Sequence, residues 1–291
     1  MPNIDYVALG GTLFIPASHK ALEAIALEQK YPQLKSLVID AEDGLSEASL
    51  DEALESIEKL LPRIKNPQPY IFLRPRNIEV LEKFLQMRSI EKIVGFVLPK
   101  FSLENAKTYM ELLKNTNHFI MPSIEGSELF NANELRELRD IILERKERVL
   151  AVRFGLEDML SSLGMRRSCE ESVFDLSAPT AVLGNFIAQF KSVGFGVSGG
   201  VYPCFKDKEG FMKDAKRDLK EGLFSKTIIH PNQIEILNEI YKVSQKEFHE
   251  AQAIINKTEA VFELNAKMAE KKTMKRHSLM IIKRAKEYGV Y

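Results

Sequence analysis

The chain has 291 residues, of which 45% are hydrophobic and 28% charged, and Lys+Arg and Asp+Glu both number 41, so the formal net charge is zero. This length suits one large domain with an appendage, and the neutral balance excludes the basic excess of a nucleic-acid-binding domain. No apolar run reaches the ~20 residues of a membrane span, and the start MPNIDYVALGG lacks the features of a signal peptide. Cys169 and Cys204 form no CxxC motif, so we expect a cytoplasmic protein with free thiols.

Eight short runs of β-branched and aromatic residues predict strands. They are TLFIP (12–16), SLVID (36–40), YIFLR (70–74), GFVLP (95–99), HFIMP (118–122), VLAVRF (149–154), FGVSGGVY (195–202) and KTIIH (226–230). Amphipathic stretches at 46–64, 132–146 and 179–194 predict helices between them. Strands that alternate with helices pair in parallel, and runs that are apolar on both faces indicate a sheet covered on both sides. Eight such units in about 230 residues favour a (β/α)8 TIM barrel over a doubly wound open sheet.

The pattern changes after His230, because residues 232–291 carry almost no strand signal and are predicted to be helical. We therefore divide the chain into a barrel domain, 1–240, and a C-terminal helical extension, 241–291. Residues 267–291 contain eight Lys or Arg and two Glu. Such a basic helix is either a solvated surface or a lid or oligomer contact that meets phosphates or a partner.

In a TIM barrel the catalytic groups follow the carboxyl ends of the strands, where they converge on one mouth. Polar side chains stand after six of the predicted strands: Asp40, Glu42 and Asp43; Arg74, Arg76 and Asn77; Lys100; Ser123 and Glu125; Glu157 and Asp158; and His230, Asn232 and Gln233. If these strand ends converge, the polar side chains, which are far apart in the sequence, would lie close together and form one site.

Glu125 and Asp158 follow neighbouring strands, and two carboxylates of this kind suit Mg²⁺, which keeps several waters in its coordination shell. Histidines and cysteines at zinc spacing are absent from the sequence. Arg74 could fork onto a substrate carboxylate, so that a metal beside the anchored acid stabilises an enolate.

Each of these residues also has a structural alternative. Asp158 could cap a helix, Glu125 could pair with a lysine or arginine, and Arg74 could be a structural ion-pair partner. For Asn77 we favour the helix-capping role, and for His230 a structural role.

The motifs LFIPA, VIDAEDG, FLRPRN, VLPK, PSIEG, RFGLED and TIIHPNQIEILN occur in an order that resembles the HpcH/HpaI aldolase and citrate lyase β-subunit family. The resemblance covers about residues 11–240. It implies a TIM barrel that cleaves or forms carbon–carbon bonds with Mg²⁺, in many members on CoA or carrier-protein thioesters. It also implies a homo-oligomer, a trimer or hexamer.

The resemblance assigns roles residue by residue. Glu125 and Asp158 match the two metal ligands, and Arg74 matches the arginine that holds the substrate carboxylate. Gly155 and Leu156 would contact the substrate. Glu42 matches a glutamate that lines the site, and Asp43 could contact the metal through water. Both acids are candidates for the catalytic base.

The sequence also departs from the family pattern. LFIPASHK has Ala17 where relatives have glycine, with His19 or Lys20 near the position of their arginine, and PSIEG has Gly126 where they have threonine. Asp43 stands where the aldolase branch has a histidine. We therefore expect a lyase that acts on a citryl-, malyl- or citramalyl-CoA-like thioester. The alternatives are an aldolase that releases pyruvate from a 2-keto-4-hydroxy acid, or a barrel that serves as a binding subunit.

Overall fold

The structure is a computed structural model, and it describes residues 4–43, 45, 47–65, 69–264 and 267–291. Gly44 of the VIDAEDG motif and Ser46, the first residue of a predicted helix, lie outside the described residues. Within them, no helix has the length and apolar character needed to cross a membrane.

Eight parallel strands form the predicted barrel. They are β1 (Gly10–Pro16), β2 (Ser36–Asp40), β3 (Tyr70–Arg74), β4 (Gly95–Leu98), β5 (Phe119–Ile124), β6 (Val152–Phe154), β7 (Val197–Ser198) and β8 (Ser225–Ile228). The hydrogen-bonded order runs from β7 down to β1 and then to β8. A single bridge between Gly199 and Lys226 joins β7 to β8 and closes the circle. The TIM-barrel prediction is therefore confirmed.

Helices follow the strands and cover the outside of the barrel. They are α1 (Leu22–Ala26), α2 (Leu50–Leu60), α3 (Ile78–Gln86), α4 (Ala106–Leu112), α5 (Ala132–Leu143), α6 (Leu156–Ser162), α7 (Ser177–Ser192), α8 (Lys208–Lys220) and α9 (Asn232–Tyr241). The apolar face of the amphipathic helix α2 is the buried one, since Leu54, Ile57 and Leu60 all pack in the core. Asn77 caps α3 as predicted, because its side chain accepts a hydrogen bond from the Val80 amide at 3.0 Å.

The inside of the barrel is layered. Val38, Phe72, Val97 and Met121, from β2 to β5, form part of a small apolar cluster within it. Two residues further along β2 and β3, on the same inward-facing columns, the side chains become polar. The apolar layer fills the lower part of the barrel, and the charged residues of the mouth stand above it.

The C-terminal extension comprises α10 (Gln245–Asn256), strands β9 (Val261–Leu264) and β10 (Lys267–Glu270), and α11 (Lys271–Tyr288). The antiparallel hairpin of β9 and β10 corrects the prediction that this part is entirely helical. Segments without strongly β-branched composition give little strand signal in the sequence, and KMAE is one of these.

Helix α11 packs against the amino ends of the strands. Tyr288 Oη donates to the Val7 carbonyl at 2.7 Å, and Lys35 Nζ lies 3.5 Å from the Glu287 carboxylate. Val7 precedes β1 and Lys35 precedes β2, so the helix lies at the end of the barrel opposite to the mouth. A lid over the mouth of the same chain would require this helix to leave its position, whereas a contact with another subunit would not.

Cys169 and Cys204 form a disulfide bond with their Cα atoms 5.5 Å apart. The prediction of two free thiols is therefore wrong. The cysteines lie 35 residues apart, Cys169 between α6 and α7 and Cys204 between β7 and α8, so their proximity arises only when the barrel brings these segments together.

Candidate active site

Glu125, the first residue after β5, is held at the mouth by the neighbouring loop. Its Oε1 accepts a hydrogen bond from the Lys100 amide at 2.6 Å, and its Oε2 is 3.4 Å from the Ser123 hydroxyl. Lys100 has a φ of +46°, a left-handed conformation that few non-glycine residues adopt. The loop after β4 thus positions one carboxylate oxygen of Glu125 and leaves the other weakly bonded.

Gly155, the N-cap of α6, lies directly against Glu125. A Cβ atom at position 155 would lie 2.2 Å from the Glu125 Cβ and 2.8 Å from its Oε2. Asp158 is exposed on the first turn of the same helix. Burial and, as a smaller cause, the charge of Asp158 raise the pKa of Glu125 to about 6. Two carboxylates therefore repel each other at the mouth, and a bound cation would relieve that repulsion.

Arg74, at the end of β3, is surrounded by carboxylates. Its Nε and Nη2 donate to the two oxygens of Asp40 at 2.6 and 2.7 Å, and its Nη1 lies 2.7 Å from Glu42 Oε2 and 3.1 Å from Asp43 Oδ2. The fork that was predicted to hold a substrate carboxylate therefore holds Asp40. A substrate could reach Arg74 only by displacing Glu42 or Asp43 from Nη1.

Glu42 is a buried carboxylate, with a side chain only 5% exposed. Its oxygens lie within ion-pair distance of Arg74 and of Lys100, which is 3.4 Å away. Among the described residues, however, neither oxygen has a well-directed hydrogen bond. Burial raises the pKa of Glu42 to about 7, although Arg74 opposes the shift. A carboxylate with a pKa near neutrality is suited to general acid–base catalysis.

Arg153 lies inside the barrel and was not among the site residues predicted from the sequence. The register places it on β6 beside Ser123 and Ser198. Its guanidinium donates to the Thr227 hydroxyl at 2.5 Å and stacks 4.8 Å from the centre of the Phe14 ring. The sequence does contain an indication of this residue, because Arg153 is a charged residue within the apolar run VLAVRF. Burying a charge in a barrel strand is costly, so its presence there indicates a specific role.

Leu156 and His230 both pack against neighbouring residues, and the contact of Leu156 with substrate stays a prediction. Leu156 is buried at the start of α6 beneath the mouth, where a Cβ at Gly200 would clash with it. The His230 ring stacks on Phe205 at 4.5 Å and accepts a hydrogen bond from the Asn232 amide, in agreement with the structural role favoured for it.

Glu125 and Asp158 are the side chains that could hold a divalent cation. Throughout the described part of the chain, no three His, Cys, Asp or Glu residues cluster closely enough to form a metal cage. Two carboxylates with a weakly bonded oxygen suit Mg²⁺, because Mg²⁺ is usually bound by one or two protein carboxylates and retains water or substrate as further ligands. The donor set therefore fits the predicted ion.

The fold and the charged mouth at its carboxyl end define a TIM barrel with an acidic candidate metal site. The model of the family described as "C-C_Bond_Lyase of the TIM-Barrel fold" matches residues 3–290. The chain therefore belongs to this family, and the resemblance to citrate lyase β subunits is confirmed by its relatives.

Among these relatives, the citrate lyase subunit beta of Haemophilus influenzae is 25% identical over 294 residues, covering 94% of this chain and 96% of the relative. The Escherichia coli K12 subunit is 28% identical over 156 residues, so the match spans about half the length of each chain. The mitochondrial citramalyl-CoA lyase of Rattus norvegicus is 26% identical, covering 88% of this chain and 78% of the relative.

Solved structures share the fold. The CitE protein of Mycobacterium tuberculosis, in complex with magnesium, acetoacetate and coenzyme A, superposes with a TM-score of 0.71 at 19% identity, covering 97% of this chain and all of that one. RipC of Yersinia pestis gives a TM-score of 0.64 at 17% identity, covering 84% and 99% of the two chains.

Proposed function

We propose that the protein is an Mg²⁺-dependent carbon–carbon lyase that cleaves a β-hydroxy acid thioester to an oxo acid and an acyl thioester. The observation that carries the proposal is the carboxylate pair at the mouth of a barrel of this family: Glu125 packs against Gly155, and the charge of Asp158 acts on Glu125. Relatives named as citrate lyase and citramalyl-CoA lyase support the reaction class.

Glu125 and Asp158 would hold the ion, with the Lys100 amide fixing the orientation of Glu125. When bound, Mg²⁺ would stabilise the negative charge that develops on the oxygen atoms of the reacting acid. Gly155 lets the start of α6 pack directly against Glu125, because a Cβ atom at position 155 would push that carboxylate aside.

Glu42 is the group best suited to move the proton. In the cleavage direction Glu42 would accept the proton of the β-hydroxyl group as the carbon–carbon bond breaks, and that proton would then pass to the α-carbon of the thioester enolate, which gives the acyl thioester. In the reverse direction a proton would leave the α-carbon of the acyl thioester and end on the new hydroxyl oxygen. The buried carboxylate of Glu42 and its pKa of about 7 favour this exchange at neutral pH. The more exposed Asp43 shares the Nη1 of Arg74 with Glu42 and would help to orient it.

The thioester carrier and the assembly state are parts of the same proposal. CoA is the carrier we favour, because a relative among the solved structures contains coenzyme A. A homo-oligomer, a trimer or hexamer, would allow the basic helix α11 of one subunit to approach the mouth of another. A cytoplasmic location stays a prediction.

Calorimetric titration of Mg²⁺ tests the metal site directly. Glu125→Ala and Asp158→Ala should each weaken Mg²⁺ binding by at least about tenfold, because each removes one of two charged ligands. The control is Glu157→Ala, which removes an exposed carboxylate from the same helical turn. Wild-type Mg²⁺ affinity in both ligand variants would refute the site.

A substrate screen tests the reaction. Cleavage of citryl-, malyl- or citramalyl-CoA without cleavage of free 2-keto-4-hydroxy acids would support the lyase. The reverse pattern would identify the aldolase alternative, and inactivity on both, without proton exchange into pyruvate or acetyl-CoA, would favour a binding subunit.

A further inference from the structure

Arg153 is a buried cation without an acidic partner. Arg153 is only 4% exposed. Among the described residues, no carboxylate lies within 4.0 Å of its guanidinium group. Its hydrogen-bond acceptors are the Thr227 hydroxyl and, at 3.9 Å, the Met121 sulfur. Burial, together with the smaller effect of the Arg74 charge, lowers the pKa of Arg153 to about 9, so the guanidinium is still charged at pH 7.

Arg74 contacts the same aromatic ring as Arg153 but differs from it in having acidic partners. Both guanidinium groups stack on the Phe14 ring, at 5.3 Å for Arg74 and 4.8 Å for Arg153. Arg74 has three carboxylates around it, whereas Arg153 donates only to neutral groups and is repelled by the charge of Arg74. Because an unpaired buried charge is costly, a protein normally provides a partner or keeps the charge for a ligand.

Two residues that contact Arg153 are less buried than Arg153 itself. Phe14 and Thr227, which both contact its guanidinium, are each only partly buried. Arg153, on β6, lies two residues before Gly155, and its neighbour Ser123, on β5, lies two residues before Glu125. Alternate residues of a strand face the same side, so Arg153 lies one layer beneath the candidate metal site.

We propose that Arg153, with the Thr227 hydroxyl, binds the carboxylate of the oxo acid at the floor of the site. The proposal rests on the function proposed above, since it places this acid between Arg153 and the carboxylate pair Glu125 and Asp158. Arg74 then serves as a positioning residue that fixes Asp40, Glu42 and Asp43 at the mouth. The expected ligand is a small 2-oxo acid, whose carboxylate a guanidinium can bind through two parallel hydrogen bonds.

A purely structural role for Arg153 makes a different prediction for stability. If the arginine only braces β6 against β8, its replacement by methionine should lower the melting temperature. If it is kept for a ligand, Arg153→Met removes an uncompensated buried charge, so the ligand-free variant should melt at the wild-type temperature or above it. Functional sites commonly trade stability for binding in this way.

The experiment is calorimetric titration of pyruvate, with and without Mg²⁺, into wild type, Arg153→Met and Arg153→Lys, together with melting curves. The control is Arg63→Met, which removes an arginine that is half exposed on the outside of the barrel. We expect pyruvate to bind at least about tenfold more weakly to Arg153→Met, partial recovery in Arg153→Lys, and no change in the control.

The outcomes separate this proposal from the one on which it rests. Pyruvate binding that needs Mg²⁺ but not Arg153 would overturn the anchor and leave the metal site intact. Binding that needs Arg153 but not Mg²⁺ would support the anchor and contradict the metal site. A lowered melting temperature with unchanged affinity in Arg153→Met, or no pyruvate binding to wild type, would overturn the anchor.

Discussion

Gly155 and Glu125 are in such close contact that no side chain fits between them. A Cβ at position 155 would lie 2.2 Å from the Glu125 Cβ and 3.1 Å from its Cα, and atoms this close to the backbone cannot move aside cheaply. Gly155→Ala should therefore displace the Glu125 carboxylate and reduce kcat/KM by about 100-fold, since small misplacements of a catalytic group are costly.

The matched control is Gly184→Ala, within α7, where a Cβ would meet nothing within 4 Å. That variant should keep wild-type activity and gain about 0.5–1 kcal/mol of stability from the lower backbone entropy of the unfolded chain. Equal activity of the two variants would show that the Glu125 geometry is unimportant.

The pH dependence of stability should identify Glu42. Its pKa is raised from 4.5 to about 7, so between these values the folded state binds more protons than the unfolded state. Stability from this group is therefore lost as the pH rises through that window, and the loss persists above pH 7. In metal-free protein at pH 8, Glu42→Gln should be more stable than wild type by about 2 kcal/mol, and at pH 4 the two should be nearly equal.

Urea unfolding at the two pH values provides the measurement. Asp43→Asn is the comparison, because its side chain is 65% exposed and it contacts the same arginine. A stability difference for Glu42→Gln that is the same at pH 4 and pH 8 would contradict the raised pKa.

A buried ion cluster outside the mouth should dominate the stability of the β8–α8 contact. Lys226 lies 2.7 Å from Asp214 and 2.5 Å from Asp218, and all three residues are at most 2% exposed. Lys226→Met should cost about 3–5 kcal/mol, because it leaves Asp218 buried without its cation and Asp214 with only Arg167, which lies 3.5 Å away. Combining it with Asp214→Asn and Asp218→Asn should recover part of the loss.

Chemical denaturation of these variants tests the cluster against a surface pair. Lys59→Met removes a lysine whose side chain is 74% exposed from an i,i+4 pair with Glu55, and should change stability by less than about 0.5 kcal/mol. Similar losses at Lys226 and Lys59 would argue that the buried contacts contribute no more than surface ones.

Reduction of the Cys169–Cys204 disulfide should destabilise the loops above β6 and β7. The bond closes a loop over a separation of 35 residues, for which the loss in stability is about 2–4 kcal/mol. Melting curves with and without dithiothreitol measure it, and the double variant Cys169→Ser/Cys204→Ser should show no response to the reductant. A wild-type protein that also fails to respond would indicate that its thiols are unpaired in solution.

The sequence predicted β2 and β3 to the residue, because their apolar runs begin and end where the pairing does. The run FGVSGGVY was equally apolar, yet β7 comprises only Val197–Ser198, since strand composition says little about where hydrogen bonding stops. Long strands between charged ends are therefore predictable, and short ones at the closure of the barrel are not.

The candidate site was predicted in part. Glu125, Asp158 and Glu42 follow strand ends, and the rule that such ends converge brings them to one mouth. The surroundings of Arg74 depend on Asp40 pointing inward at the end of β2, which the linear sequence does not reveal. Arg153 was missed because its neighbours in the sequence are hydrophobic, and this pattern is typical of an ordinary buried strand.

The closure of the barrel has a consequence for its dynamics. Strand β7 pairs with β6 through two residues and reaches β8 mainly through Gly199, whose amide donates to Ser225 and whose carbonyl accepts from Thr227. The bond from Arg153 to Thr227 spans β7 from the inside and ties together the strands on either side. Segments with so few backbone bonds open most readily, so amide hydrogen exchange should be fastest along this seam and should slow when an anion bridges the two side chains.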